Sequence, residues 1–424
     1  MIRFLRCLTF VVTLSLVVGA TAQSGWSRYR VLVSDYWDAQ RVADSSLGLF
    51  SDEIEIGFTD LIVGPKDFFQ LVKLGLFYRK ISDLPRPDAW ANAPRPDYPD
   101  YKLNYLTFAE MIVQYEEWRL ANPTLVSRVQ IGTSWNGYAI WAYRIYSAVP
   151  SENSSTSFGV VNLPSKRGQF PAPLRSLVIL GGTHSREWIA PSTVMAITKN
   201  LIDTLKNPAD SLRPKLESNL ALYVIPMLNP DGYVHSWTTY RMWRKNRRNN
   251  GGGVFGVDLN RNYSKGWGGS GSSGTTSSDT YRGPAAFSEP ETNALRNYCL
   301  TLPPIKGVID FHSYAEKILW PWSYTTTPPV NVSVHSIPGN AMKNAMVASG
   351  GNSYVTGMGS TTLYVASGTS KDYYFDIYGC ASFTIELRDT GTNGFLLPES
   401  QIIPTQNEAW AGMRQFLSDA SALP

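Results

Sequence analysis

Between Tyr29 and Val33 polar and apolar residues alternate with the period of a half-buried strand, and Glu53 to Thr59 does so again. Asp38 to Leu47 reads as a helix between them, and Asp60 to Val63 as a further strand. Pro65 suits the first turn of a helix running to Phe77, and a strand near Phe77 to Ile81 completes the set. Residues 23–82 are therefore expected to form a small α+β unit. Four prolines then fall between Leu84 and Asp97, so residues 83–100 read as a linker.

From residue 101 to 424 the pattern changes to short apolar runs between amphipathic segments. Phe108 to Leu120 is helical in period. Ser176 to Gly182 reads as a strand, Ser192 to Leu205 as a helix and Leu220 to Ile225 as a strand. Glu289 to Thr301 follows as a helix, Gly307 to Phe311 and Phe383 to Leu387 as strands, and Gln406 to Leu417 as a closing helix. Continuous apolar strands separated by helices predict an α/β domain around a buried, largely parallel or mixed sheet. A Gly/Ser-rich loop spans Gly251 to Ser278, broken by Val254 to Tyr263. A loop of that length in a compact domain is usually functional.

Composition narrows the classes. The net charge is only +4, which gives no reason to expect a nucleic acid or an anionic membrane as partner. Residues 1–22 have the form of a secretory signal: Arg3 and Arg6, an apolar stretch from Leu8 to Val18, then Ala20-Thr21-Ala22. A secreted, extracellular protein is expected. Cys299 and Cys380 then remain, either bridged or as two buried thiols. Asn153 and Asn331 are expected to be exposed glycan acceptors, whereas Asn262 lies in a motif that argues against modification.

The candidate chemistry begins at His184-Ser-Arg-Glu187, where an apolar strand ends in Gly181-Gly182. A histidine and a glutamate three residues apart can meet one metal from the same side. Alone the motif is weak, and a surface histidine beside a helix-cap glutamate is the simpler reading. Its place at a strand's carboxyl end favours a site. Of four histidines, His312 also follows an apolar strand, which makes it the natural third ligand. His235 and His335 lie in loop-like polar contexts and read as structural. Glu386 sits in an apolar strand, where a charge is costly unless used or paired; an ion pair with Arg388 is the alternative. Arg241, Arg244 and Arg261 could fork onto carboxylates, although a solvated basic face explains most of that run.

Seven stretches together carry a resemblance: Gly182-Thr-His-Ser-Arg-Glu-Trp-Ile-Ala-Pro191, Asn229-Pro-Asp-Gly-Tyr233, Arg241-Met-Trp-Arg-Lys245, Asp258-Leu-Asn-Arg-Asn262, Tyr281-Arg-Gly-Pro-Ala285, Phe311-His-Ser-Tyr314 and Glu386-Leu-Arg-Asp-Thr-Gly391. In this order they resemble the zinc metallocarboxypeptidases of the pancreatic A/B type, and residues 23–82 resemble, more weakly, their propeptide. The resemblance implies a mixed, mostly parallel twisted sheet flanked by helices, preceded by a ferredoxin-like prodomain. It implies one zinc ion held by His184, Glu187 and His312, with Asp258 orienting the first histidine. It makes Glu386 the general base and Arg244 the oxyanion partner. Asn260, Arg261 and Tyr364 would clamp the substrate's terminal carboxylate, and Arg186 would serve a further subsite. Cis peptides are implied at Ser313–Tyr314, Pro321–Trp322 and Arg388–Asp389.

The family reads the last substrate residue at a pocket floor seven positions after the clamp tyrosine, which here is Lys371. A buried ammonium asks for an anion, so a preference for C-terminal Glu or Asp is expected. The alternative is a lysine already neutralised, with Asp310 as the candidate partner. Peptide and protein C-termini are the expected substrates, and the chain's own propeptide the expected inhibitor. Cuts after Lys80, Arg86 or Arg95 would release it, although Pro follows both arginines. Two competing readings are an inactive secreted relative and an amidase; the retained Glu386, Arg244 and Arg261–Tyr364 pairing argue against them.

Overall fold

A computed structural model of the chain describes residues 27–83, with breaks at 34–35, 44, 46, 50–56, 65–66 and 77, and then residues 99–145 and 175–419. The expected signal segment, Asn153, Arg86 and Arg95 lie outside these residues.

The first unit runs β1 (Ser27–Val33), α1 (Tyr36–Ala43), β2 (Gly48–Leu49), β3 (Gly57–Val63), α2 (Phe68–Lys73) and β4 (Tyr78–Asp83). Its strands lie in the order β2-β3-β1-β4, each pair antiparallel. Alternation does the work expected of it: Val31, Val33, Leu61 and Val63 face inward onto Val42, Leu47 and Leu71. Where the sequence predicts a break at Asp60, β3 continues through it. Arg28 and Arg30 both donate to Asp60, so the charge is held at mid-strand. Lys80 lies within β4 and pairs with Tyr29 of β1, a poor position for a protease.

The second unit is α3 (Phe108–Ala121), β5 (Val126–Thr133), β6 (Ala139–Ile145), β7 (Arg175–Leu180), α4 (Ile189–Lys206), α5 (Arg213–Asn219), β8 (Leu220–Ile225), α6 (Pro230–Thr238), α7 (Pro290–Thr301), β9 (Ile305–Ser313), β10 (Lys317–Trp320), α8 (Ser333–Ala348), β11 (Val355–Met358), α9 (Gly359–Thr362), α10 (Ser370–Tyr378), β12 (Ala381–Leu387) and α11 (Ile402–Asp419). The sheet order is β11-β10-β12-β9-β7-β8-β6-β5. Its four central strands are mutually parallel, and antiparallel pairs flank them. This is the mixed, mostly parallel sheet the sequence predicts. Both faces are covered, which explains the unbroken apolar runs: Leu177 and Ile179 of β7 face one core, Val178 and Leu180 the other.

Several local expectations change. Cys299 and Cys380 are two buried thiols, not a bridge. His235 and His335 are not in loops; they lie in α6 and α8. Burial explains why: His335 is enclosed between the rings of Phe375 and Phe383, and His235 packs edge-on against Trp243. Arg388 does not pair with Glu386. It forks onto Glu408 of α11, at 2.9 Å. No helix among the described residues is long and apolar enough to cross a membrane.

Candidate active site

The three strands β7, β9 and β12 end side by side, and the candidate residues stand at that edge. After β7 the chain turns at Gly182, whose φ is +66° and where a Cβ would fall 2.5 Å from Met227 Sδ, so only glycine fits. The turn is tied down by Asn229, whose amide donates to Thr183 O at 3.2 Å and to Lys245 O at 3.1 Å while its oxygen caps α6. The Asn-Pro-Asp-Gly stretch therefore aligns the His184 turn with the segment carrying Arg244. Ser185 N also donates to Arg244 O at 3.1 Å.

His184, Glu187 and His312 converge. One donor atom from each lies within 4.8 Å of the others, and all three side chains are buried. His184 Nδ1 lies 2.7 Å from Glu187 Oε1, His312 Nδ1 lies 3.0 Å from Glu187 Oε2, and the two Nδ1 atoms are 3.1 Å apart. The outer nitrogens face carboxylates. His184 Nε2 lies 3.0 Å from Asp258 Oδ1 and His312 Nε2 lies 3.1 Å from Asp310 Oδ2. Those carboxylates favour a proton on each Nε2 and leave both Nδ1 lone pairs facing one point beside an anionic oxygen. Such a donor set fits a divalent cation better than it fits hydrogen bonds among acceptors.

Positive charge at this point is what keeps the carboxylates ionised. Burial would raise the Glu187 carboxyl, but the two imidazoles outweigh it and hold the group well below the usual range. Burial likewise opposes ionisation of Asp258, and Arg244, Arg261 and His184 override it. Arg244 donates to Asp258 Oδ2 from Nη2 at 2.9 Å, and its Nη1 lies 3.3 Å from His184 Nδ1.

A cavity opens beside the triad, lined by His184, Arg244, Asn260, Arg261, Tyr364, Lys371 and Glu386 among others. Glu386 of β12 is the register partner of His312 of β9, so the sheet itself sets them side by side. Asp258 caps the 3-10 turn Leu259–Arg261, which aims Asn260 and Arg261. Arg261 is fixed by Gly271 O at 2.7 Å and Asn260 O at 2.8 Å, and its Nη2 donates to Tyr364 OH at 3.2 Å. Asn260 spends its oxygen on Ser370 N, which leaves its amide NH2 as the group that can donate elsewhere.

Lys371, in the first turn of α10, is 4% exposed. Burial lowers its ammonium pKa, with Asp372 the main opposing charge. Asp310 does not neutralise it by contact. Asp310 is taken up by Ser370 Oγ at 2.7 Å, Thr183 Oγ1 at 3.2 Å and His312. Asp372 accepts from the backbone N–H groups of Ser323 and Tyr324. Among the described residues Lys371 makes no ion pair within 4 Å.

Arg186, like Glu187, His312 and Asp258, is not among the residues that line the cavity. Its guanidinium lies over the Phe395 ring at 4.2 Å and under β2 of the first unit, donating to Leu49 O at 2.7 Å. Ile62 of β3 joins Met242 and Phe395 in a small shared core. The sequence reading missed Asp310 as a histidine partner. Its signal was the two-residue spacing to His312, which puts both on one face of β9. Ser313–Tyr314, Pro321–Trp322 and Arg388–Asp389 are cis, as the resemblance implies. Asn262 is buried with its amide bonded to Arg282 O and Ala285 O, and Asn331 is exposed.

Two imidazoles and a carboxylate around one point, open to a cavity, define a catalytic-type metal centre. The zinc carboxypeptidase family model matches residues 112–412, and the chain belongs to that family. Zinc is accordingly its metal, and the triad is the described cluster able to hold it. The chain is 40% identical over 243 residues to human (Homo sapiens) carboxypeptidase O, covering 57% of this chain and 64% of that one. It is 35% identical over 300 residues to bovine (Bos taurus) carboxypeptidase B, covering 70% and 66%. It thus spans slightly under two thirds of the length of these relatives. The crystal structure of thrombin activatable fibrinolysis inhibitor superposes with TM-score 0.75 and 25% identity, covering 94% of this chain and 99% of that one. The fold is the carboxypeptidase-like α/β fold.

Proposed function

We propose that the protein is a secreted zinc-dependent exopeptidase that hydrolyses the last peptide bond of a peptide or protein, with a preference for acidic terminal residues. The observation that carries this reading is the cavity itself. His184 of the metal triad borders it, and the hydrogen-bonded Arg261–Tyr364 pair lines it too, with Asn260 beside them. A terminal carboxylate can be gripped by that fork while the adjoining peptide carbonyl faces the triad.

Zinc, when held by His184, Glu187 and His312, supplies an acidified water and polarises a carbonyl. The protein's own residues do the rest. Glu386 accepts the proton from the attacking water and passes it to the leaving amine. Arg244, preorganised by Asp258, donates to the oxygen on which negative charge develops. A substrate amidated at its end leaves Arg261 without its anion. Lys371 at the pocket wall offers an ammonium that makes no ion pair within 4 Å among the described residues, and a substrate Glu or Asp carboxylate would supply one. Chain ends released one residue at a time, stopped by a chelator and restored by zinc, are the expected products by mass spectrometry. Internal cleavage, or activity indifferent to chelation, would rule this out. In a panel of peptides differing only in the last residue, Glu-ended members should be cleaved fastest; faster cleavage of Phe- or Lys-ended members removes the acidic preference.

The first unit, residues 23–82, is proposed to be an inhibitory propeptide. Its β-α-β-β-α-β order and 2-3-1-4 sheet suit the ferredoxin-like sandwich. Its Leu49 sits on Arg186, beside the ligand Glu187. Cutting the 83–100 linker should raise activity, and N-terminal sequencing locates the cut. Equal activity before and after cutting would show that the unit does not inhibit.

A further inference from the structure

Asn246 stands two residues after Arg244 in the chain. Its N–H donates to Val257 O at 3.0 Å, and its side-chain oxygen accepts from Val257 N at 2.7 Å. Asp258 comes next after Val257. The segment carrying Arg244 is therefore laced to the segment carrying Asp258, the carboxylate that Arg244 Nη2 meets at 2.9 Å. The chain between them closes on itself through a bond from Gly256 N to Arg248 O at 2.7 Å. Glycine is needed at 256, where a Cβ would fall 2.6 Å from Asn246 O.

The side-chain amide of Asn246 meets two fully buried carboxyl groups. It donates to Glu289 Oε2 at 2.8 Å and to Glu291 Oε2 at 3.1 Å. Glu289 immediately precedes α7 and Glu291 lies in its first turn. The two are not equivalent. Glu289 also accepts from Trp135 Nε1 at 2.7 Å and Ser288 Oγ at 2.6 Å, and it pairs with Arg248 at 3.0 Å. Glu291 accepts from Asn246 and from Trp135 N at 3.3 Å, and among the described residues it makes no ion pair within 4 Å. Each of the four oxygens already faces a donor, so the cluster suits a proton rather than a metal ion. The charges that act on Glu291 are Glu289 at its own helix end and Asp231 of α6, both negative. Arg248 is taken by Glu289, Arg247 acts on Asp231, and the turn between β5 and β6 presents only the uncharged Trp135 and Asn136. Burial, with Glu289 and Asp231 adding to it, pushes the Glu291 carboxyl up to about 8.

We propose that Asn246 is the positioning residue of Arg244, and that the Glu289–Glu291 pair holding it keeps Arg244 aligned only while the pair carries one proton. The inference rests on the peptidase reading above, in which Arg244 stabilises the developing negative charge. With one proton the pair has a single charge, which Arg248 matches, and both carboxyl groups hold the amide. When that proton leaves to solvent, two anions face one amide in a buried space. Their repulsion moves the first turn of α7 away from Asn246, the bonds to Val257 loosen, and the guanidinium loses its register with Asp258. The loss appears in kcat more than in KM, because Arg244 acts on charge that develops during reaction.

The test uses the full chain, zinc-loaded and with its 83–100 linker cut, on one Glu-ended peptide. kcat should fall as pH rises through about 8. Glu291→Gln is uncharged at every pH and should abolish that fall; a fall unchanged in this variant overturns the switch. Infrared difference spectra taken across the same pH range should show the band of a protonated carboxyl disappear in the wild-type chain and be missing from Glu291→Gln. No such band overturns the shared proton, whether or not the peptide is cleaved. Asn246→Ala should lower kcat by about tenfold with KM changed by less than about twofold. Where Arg244 is already alanine, the same change should cost less than about twofold. An equal cost in both backgrounds overturns the positioning role and leaves the peptidase reading intact. Failure of the wild-type chain to cleave the peptide overturns that reading, and the role of Asn246 with it.

Discussion

The two sides of the cavity treat charge in opposite ways. On the metal side, among the described residues, the histidines and Arg244 contact carboxylates of the chain: His184 with Asp258, His312 with Asp310, and Arg244 with Asp258. On the specificity side Lys371 is just as deeply placed, but no carboxylate contacts it among the described residues. A charge matched internally orients its neighbours. One left unmatched in a cavity is an invitation to a ligand, because its desolvation is compensated only when an anion arrives.

Removing a metal ligand should break the first side completely. His312→Ala is expected to take bound zinc from about one per chain to near none, measured by elemental analysis, and to abolish turnover. Arg244→Ala should lower kcat by about a hundred- to a thousandfold with KM changed far less, because the guanidinium acts on charge that develops during reaction. Lys371→Met should cost Glu-ended peptides roughly tenfold to a hundredfold in kcat/KM and leave Phe-ended ones equal or better. Loss on both peptides alike would mean that Lys371 is structural, and the contrast between the two sides would fail. Asp310→Asn should weaken zinc affinity by about ten- to a hundredfold, since it orients His312 from behind.

The smallest effect lies away from the cavity, at His335. Burial lowers its pKa from the ordinary 6.5 to about 4. A base whose folded pKa is depressed is neutral in the fold, so its contribution is present above the unfolded value. It is lost as pH falls from about 6.5 towards 4, by about 3 kcal/mol at most. Denaturant melts at pH 7 and pH 4 should show that loss, and His335→Leu should flatten it.

The catalytic wall was largely legible because its residues sit at strand ends, and apolar runs reveal strands. His312 and Glu386 could be placed that way, and their pairing across β9 and β12 follows from register. What escaped depends on through-space closure. The helix α8 was not predicted because Pro338 and Gly339 interrupt its pattern, although helix persists through them. The strands β10 and β11 have four residues each, too short for a period to show. Asn246 meets Glu289 and Glu291 across 43 and 45 positions of chain, and no local pattern records that.

The most direct measurement compares two peptides that differ only at the end, one a free Glu carboxylate and the other its amide, with the zinc-loaded protein. The fork of Arg261 and Tyr364 predicts release of the last residue from the acid, with the amide slower by at least a hundredfold, as for a buried charge left unpaired. Equal rates on acid and amide would contradict the carboxypeptidase account.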